Sequence, residues 1–167
     1  GLGDVYKRQI LGAKIGCPDT PVIGFAGDGA FGISMNEMSS CAREEWPAIT
    51  MVIFRNYQWG AEKRNSILWF DDNFVGTELD PELSYAKVAN ACGLKGVTVK
   101  TMEETTKAIK QSCEDQKQGI TTFIEVILNQ ELGEPFRRDA MKKPVQVAGI
   151  NKSCLLYTSP SPRDLST

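Results

Sequence analysis

Two glycine-bearing turns, each directly after a short apolar run, constrain this chain more than anything else in it. The first is Gly27-Asp28-Gly29-Ala30-Phe31-Gly32, following residues 22–26. The second is Asn56-Tyr57-Gln58-Trp59-Gly60, following residues 49–54. Residues 33–45 between them read as a helix. A strand–loop–helix–strand–loop unit predicts two parallel strands in one sheet. Parallel neighbours lie about 4.8 Å apart, and ligands of open α/β sheets bind beyond the carboxyl ends of the strands. If these strands are neighbours, Asp28 and Asn56 emerge side by side. Both offer hard oxygens, which suit Mg2+ at roughly 2.0–2.1 Å. The glycines and the helix start offer backbone N–H groups to a phosphate.

The rest of the chain repeats the alternation. Residues 10–15 read as the end of a helix closed by Gly16, and residues 22–26 as a buried strand. Phe31, Met35, Met38 and Ala42 recur at helical spacing and form an apolar stripe, and Trp46-Pro47 ends that helix. Residues 49–54 are a second strand. Residues 57–80 form a long polar and aromatic connection, partly helical, of the kind more often functional than filler. Pro81 opens a helix over 82–91, with Leu83, Ala86 and Ala89 or Asn90 inward and Cys92-Gly93 at its end. Residues 95–100 are a third strand. Thr101 caps a helix over 103–118 in a capping-box pattern. Residues 122–128 are a nearly continuous apolar strand, and residues 131–143 are a charged terminal segment. Strands alternating with helices predict the α/β class: a doubly wound parallel sheet with helices on both faces.

Both ends of the chain are set apart. Residues 1–9 (GLGDVYKRQ) and residues 154–164 (CLLYTSPSPRD) back-translate to the two orientations of one transposon-based sequencing adapter. The expected division is therefore 1–9 non-native, 10–152 a partial domain, and 153–167 a non-native tail. Within the 167 residues the net charge is −2, with no basic stripe for nucleic acid and no apolar run for a membrane span. Cys17, Cys41, Cys92 and Cys113 lack metal-ligand spacing and read as reduced thiols of a cytoplasmic protein. There is no histidine, so His-based triads and His-ligated zinc are excluded from this segment.

Each candidate residue has a plainer alternative. Asp28 suits a helix N-cap and Asn56 an ordinary turn. Gly27, Gly29 and Gly32 suit a tight turn. Two such polar residues at the ends of strands joined by one crossover favour a metal–phosphate site. Arg137 and Arg138 suit sulfonate or phosphate through a guanidinium fork, but a solvated or subunit-contact face is the favoured reading of a charged cluster near a terminus. Glu62, Lys63, Arg64 and Asn65 are either a surface helix or a cover over the site. Trp59 and Trp69 read as packing residues.

Gly27-Asp28-Gly29, a crossover and then Asn56 resembles the signature of thiamine-diphosphate-dependent enzymes. That resemblance implies the pyrophosphate-type domain fold, truncated at its start. It also implies thiamine diphosphate and Mg2+, with Asp28, Asn56 and the Gln58 carbonyl as metal ligands. Gly27, Asp28, Gly29, Ala30, Asn56, Gln58 and Gly60 would line the cofactor. The family usually has Asn-Asn or His-Asn at the second site; here it is Arg55-Asn56. Glu37 recurs in the family as well, with a local hydrogen bond as the plainer role.

Within that family, residues 56–65 (NYQWGAEKRN), 74–79 (FVGTEL) and 131–140 (ELGEPFRRDA) resemble the sulfoacetaldehyde acetyltransferases. The implied reaction converts sulfoacetaldehyde and phosphate to acetyl phosphate and sulfite in a homodimer or homotetramer. An activating Glu is expected in an amino-terminal domain of a partner subunit, so the fragment alone is expected to be inactive and no catalytic residue is named. An acetolactate synthase or 2-oxo-acid decarboxylase relative remains an alternative. So does a non-catalytic α/β binding module or regulatory subunit in which Asp28 is only a helix cap.

Overall fold

The computed structural model describes residues 5–71 and 73–131. Four strands form one sheet: β1 Ile23–Gly27, β2 Thr50–Arg55, β3 Lys95–Val99 and β4 Thr122–Ile127. Their order is β1-β2-β4-β3, and every pairing is parallel. The central strands β2 and β4 are buried on both faces, which is why they read as almost unbroken apolar runs. Gly27 pairs with Phe54. The chain therefore leaves β1 and β2 at the same edge of the sheet, within a residue of each other.

Helices cover both faces. They are α1 Val5–Gly16, α2 Asp28–Ile33, α3 Glu37–Cys41, α4 Gly60–Trp69, α5 Tyr85–Ala91 and α6 Met102–Lys117. On one face Phe31, Met38, Tyr85 and Ala89 pack on Met51, Ile53 and Phe123, with Ile10 of α1 at the margin. On the other, Val52, Val99, Ile124 and Val126 meet Ala108 and Ile109 of α6. This is the doubly wound arrangement expected from the alternation.

Two predicted helices need correction. The helix expected over 33–45 is two short helices, with α2 beginning at Asp28 itself. Between α2 and α3 the bonds tighten to the i−3 pattern, as in Glu37 N–H to Ser34 O and Met38 N–H to Met35 O. Of the predicted stripe, Phe31 and Met38 are buried and Ala42 is exposed, because the break rotates the last turn away from the core. The helix expected from residue 82 starts at Tyr85. Asp80 Oδ1 accepts from Glu82 N–H and holds that stretch as a turn, and the Ser84 side chain caps the helix instead. Ala89 points inward; Asn90 is exposed.

Other local readings hold. The Thr101–Glu104 capping box is formed in both directions. Gly93 takes φ +82° after α5, a backbone region that favours glycine. The long connection is partly helical, through α4. Residues 57–80 close on themselves by an antiparallel bridge, Gln58 to Glu78. The charged segment from residue 132 onward, with Arg137 and Arg138, lies outside the described residues.

Candidate functional site

The register of β1 on β2 sets Asp28 and Asn56 beside each other. Asp28 is buried, and its two carboxylate oxygens are held separately. Oδ1 accepts from Gly29 N–H at 2.9 Å, and Oδ2 accepts from Tyr57 N–H at 2.7 Å. The inward terminal atom of the Asn56 amide lies 3.1 Å from the Gln58 carbonyl oxygen and 3.2 Å from Asp28 Oδ1. With nitrogen inward, the amide donates to both. With oxygen inward, three oxygens from Asp28, Asn56 and Gln58 face one another.

That oxygen arrangement has a recognisable spacing. Adjacent ligands of an octahedral Mg2+ at roughly 2.0–2.1 Å stand about 2.8–3.0 Å apart. The separations of 3.1 and 3.2 Å from the Asn56 amide are slightly wider than this. Among the described residues no group of three or more His, Cys, Asp or Glu side chains gathers. The set here uses one carboxylate, one carboxamide and one main-chain carbonyl, and it fits a hard cation that retains other ligands.

The Gln58 carbonyl reaches this point because Tyr57 takes φ +61°. Such a backbone is uncommon for an aromatic residue and costs on the order of 1–3 kcal/mol. It turns the chain sharply after Asn56. The turn is then fastened by Trp59 N–H to Thr77 O at 2.7 Å and Leu79 N–H to Tyr57 O at 2.9 Å. The Gln58 side chain points elsewhere, donating from Nε2 to Gln130 O at 2.9 Å. Gln130 in turn donates to Glu78, which also pairs with Lys63. The Lys63 hydrogen bond, with help from Gln130, holds the Glu78 carboxyl below its ordinary range. Lys63 of α4 is thus tied to this bridge, while Glu62 beside it is exposed.

The glycines divide by role. A Cβ on Gly29 would meet the Trp59 indole at 3.0 Å, and one on Gly32 would meet the Tyr85 hydroxyl at 2.9 Å. Packing accounts for both, with the Trp59 indole lying against Gly29. Gly27 faces open space. Ala30 lies in the first turn of α2, and Gly60 is the first residue of α4. Glu37 begins α3 and is half-buried.

Residues that sequence reasoning did not assign complete the surroundings. Arg55, noted only as a departure from a family pattern, is buried and paired with Glu125 on β4. Its Nη2 also donates to the carbonyls of Asp80 at 3.0 Å and Pro81 at 3.3 Å. Glu125 further accepts from the Ser84 hydroxyl at 2.6 Å, Tyr85 N–H at 3.1 Å and the Thr98 hydroxyl at 3.2 Å. Burial pushes the Glu125 carboxyl up, but Ser84, Arg55 and the Tyr85 amide outweigh it and hold it below 4.5. Tyr85 then returns to the site, its hydroxyl donating to the Asp28 carbonyl at 2.9 Å. Burial, reinforced by the charge of Asp28, raises its phenol above 10.0. The one signal for this network was a lone Glu inside an otherwise apolar strand.

A match to "Thiamine pyrophosphate enzyme, C-terminal TPP binding domain" spans residues 9–126. The chain belongs to this thiamine pyrophosphate enzyme family. A "Probable sulfoacetaldehyde acetyltransferase" of Rhizobium meliloti is 76% identical over 145 residues, covering 87% of this chain and 24% of the relative. The "Sulfoacetaldehyde acetyltransferase" of Roseovarius nubinhibens is 71% identical over 142 residues, covering 85% of this chain and 24% of the relative. The chain therefore spans about a quarter of the length of these curated relatives. Among solved structures, a thiamine diphosphate-dependent 4-hydroxybenzoylformate decarboxylase of Rhodococcus jostii RHA1 superposes with a TM-score of 0.65 at 27% identity. That match covers 74% of this chain and 23% of the decarboxylase. The α/β sheet described above is thus the fold of a thiamine-pyrophosphate-binding domain. No helix among the described residues is long and apolar enough to cross a membrane.

Proposed function

We propose that the full-length protein is a cytoplasmic, homo-oligomeric, thiamine-diphosphate-dependent acetyltransferase. It takes sulfoacetaldehyde and phosphate to acetyl phosphate and sulfite: the C–S bond breaks, sulfite leaves, and the acetyl group passes to a phosphate oxygen. The observation that carries this reading is the 76% identity over 145 residues to the R. meliloti relative.

In this reading Asp28, Asn56 and the Gln58 carbonyl hold Mg2+, supported by the Asn56 amide lying 3.1 Å from the Gln58 carbonyl oxygen and 3.2 Å from Asp28 Oδ1. The backbone of Gly27, Asp28, Gly29 and Ala30 receives the diphosphate, with open space at Gly27 leaving room for it, and Gly60 at the start of α4 also lines the cofactor. Thiamine diphosphate, when bound, would supply a nucleophilic carbon and an electron sink for the C–H electron pair of the aldehyde carbon, the pair that then drives sulfite out with the C–S electrons. The task of this chain is anchorage: an oxygen frame held by Tyr57 N–H on one side and Gly29 N–H on the other fixes the cation, and through it the cofactor's tail. Arg137 and Arg138 stay outside the substrate assignment.

The test is sulfite release by the full-length enzyme from sulfoacetaldehyde, measured with and without phosphate. Phosphate-dependent sulfite and acetyl phosphate in equal amounts are expected. Pyruvate turnover without sulfite release would replace this reading with the acetolactate synthase alternative.

A further inference from the structure

We propose that Tyr85 is a positioning residue for the cation site: its hydroxyl, admitted by the missing side chain at Gly32, orients the Asp28 carboxylate. The inference rests on the cation site of the preceding reading and deepens it.

The link is a single peptide group, the one that joins Asp28 to Gly29. Its carbonyl oxygen accepts from the Tyr85 hydroxyl at 2.9 Å, and its N–H donates to Asp28 Oδ1 at 2.9 Å. A peptide is planar, so restraining its oxygen restrains the direction in which its N–H points. Oδ1 is also the carboxylate oxygen that lies 3.2 Å from the Asn56 amide. The hydroxyl thus bears, through one peptide, on the oxygen that faces the rest of the frame. Gly27 gives α2 no side-chain cap, so the start of this helix lacks the usual local restraint.

Tyr85 is built to supply that restraint from a distance. It is 4% exposed, its backbone N–H donates to Glu125 at 3.1 Å, and its ring meets Phe31 edge-on with centroids 5.1 Å apart. A Cβ on Gly32 would stand 2.9 Å from the hydroxyl. The ring behind that hydroxyl is rigid and enclosed, so an alanine at 32 and the hydroxyl in its present place exclude each other. Alanine is otherwise the better helix residue, which gives the glycine a reason to be there. A tyrosine that served packing alone would leave the cation requirement unchanged on losing its hydroxyl.

The experiment uses the full-length protein. Thiamine diphosphate binding is followed by calorimetry as Mg2+ is varied, and thermal unfolding of each variant is measured without cofactor. Tyr85→Phe keeps the ring and removes only the hydroxyl. It is expected to raise the half-saturating Mg2+ concentration about 10-fold, in line with losses behind a metal's own ligands, and saturating Mg2+ is expected to restore binding. Gly32→Ala displaces the hydroxyl and is expected to raise the requirement in the same way. Both changes break one bond, so the double variant is expected to match Tyr85→Phe within about twofold. A half-saturating concentration in Tyr85→Phe within about twofold of the parent's overturns the positioning role, whatever the melting temperature does. Multiplied effects in the double variant overturn the part given to Gly32. Should Gly32→Ala fail to fold, Tyr85→Phe decides alone. Asp28→Ala separates the two claims. Lost cation-dependent binding in it, with an unchanged requirement in Tyr85→Phe, overturns the positioning role only. Unchanged binding in Asp28→Ala overturns the cation site and this proposal together.

Discussion

The backbone N–H of Tyr57 donates to Asp28 Oδ2 at 2.7 Å, across 29 positions of sequence. This bond ties the turn after β2 to the residue after β1 and sets one carboxylate edge relative to the Asn56 amide. It also means that Asp28 does structural work apart from any ligand.

Asp28→Ala should therefore show two effects. Leaving the half-buried Tyr57 and buried Gly29 amides without their acceptor should cost about 1–3 kcal/mol in urea unfolding. Mg2+-dependent thiamine diphosphate binding, followed by calorimetry on the full-length protein, should be lost. Asp28→Asn keeps only one of the two acceptors and sets its NH2 against the other amide, so it should recover part of the stability at most and little of the binding.

Gly96→Ala should be among the most damaging small substitutions outside the site. A Cβ there would stand 1.9 Å from the Ala86 carbonyl oxygen, a backbone atom that cannot move without displacing α5 from β3. Overpacking of this kind costs about 1–3 kcal/mol, and more where the obstacle is rigid. A fall of several degrees in Tm is expected. Gly12→Ala, where nothing lies within 4 Å, should be neutral or slightly stabilising.

Breaking the Arg55–Glu125 pair from one side strands a buried charge. Arg55→Met or Glu125→Leu alone should each cost about 3–5 kcal/mol, and the double variant should be closer to the parent than either. A double-mutant cycle by denaturant unfolding measures this.

The same pair predicts an acid limb. The Glu125 carboxyl is held below 4.5 in the folded chain. Its contribution is therefore complete above pH 4.5 and is lost as pH falls through the lower, folded value. Asp115 acts in the same direction: burial opposes it, but the hydrogen bonds of Lys95 and Gln111 hold it below 3.8. Stability should thus be insensitive to these groups near neutrality and should fall in acid. Glu125→Gln should be less stable at neutral pH and show a shallower acid decline.

Thr101→Ala removes one half of the capping box at the start of α6. A loss of about 1 kcal/mol is expected, with thiamine diphosphate binding unchanged, because Thr101 follows β3, which β4 separates from the strands that carry the site. The pair of readouts separates a stability residue from a site residue.

Sequence alone determined the kind of fold and the polar residues at its carboxyl edge. Buried parallel strands must be apolar runs, the helices between them must carry one apolar face, and Asp28 and Asn56 each follow such a run. Local chemistry also fixed the Thr101 cap and the turn at Gly93. Only the tertiary structure decided the order β1-β2-β4-β3, which lays Glu125 beside Arg55 across 70 positions. It likewise decided that Gly29 is small for Trp59, that helix 33–45 breaks in two, and that Tyr57 is left-handed. The strand order, the Gly29–Trp59 contact and the Tyr57 turn each involve segments far apart in sequence. Periodicity and propensity report only what a residue's near neighbours require, so such contacts leave no local trace beyond a lone charge in an apolar strand.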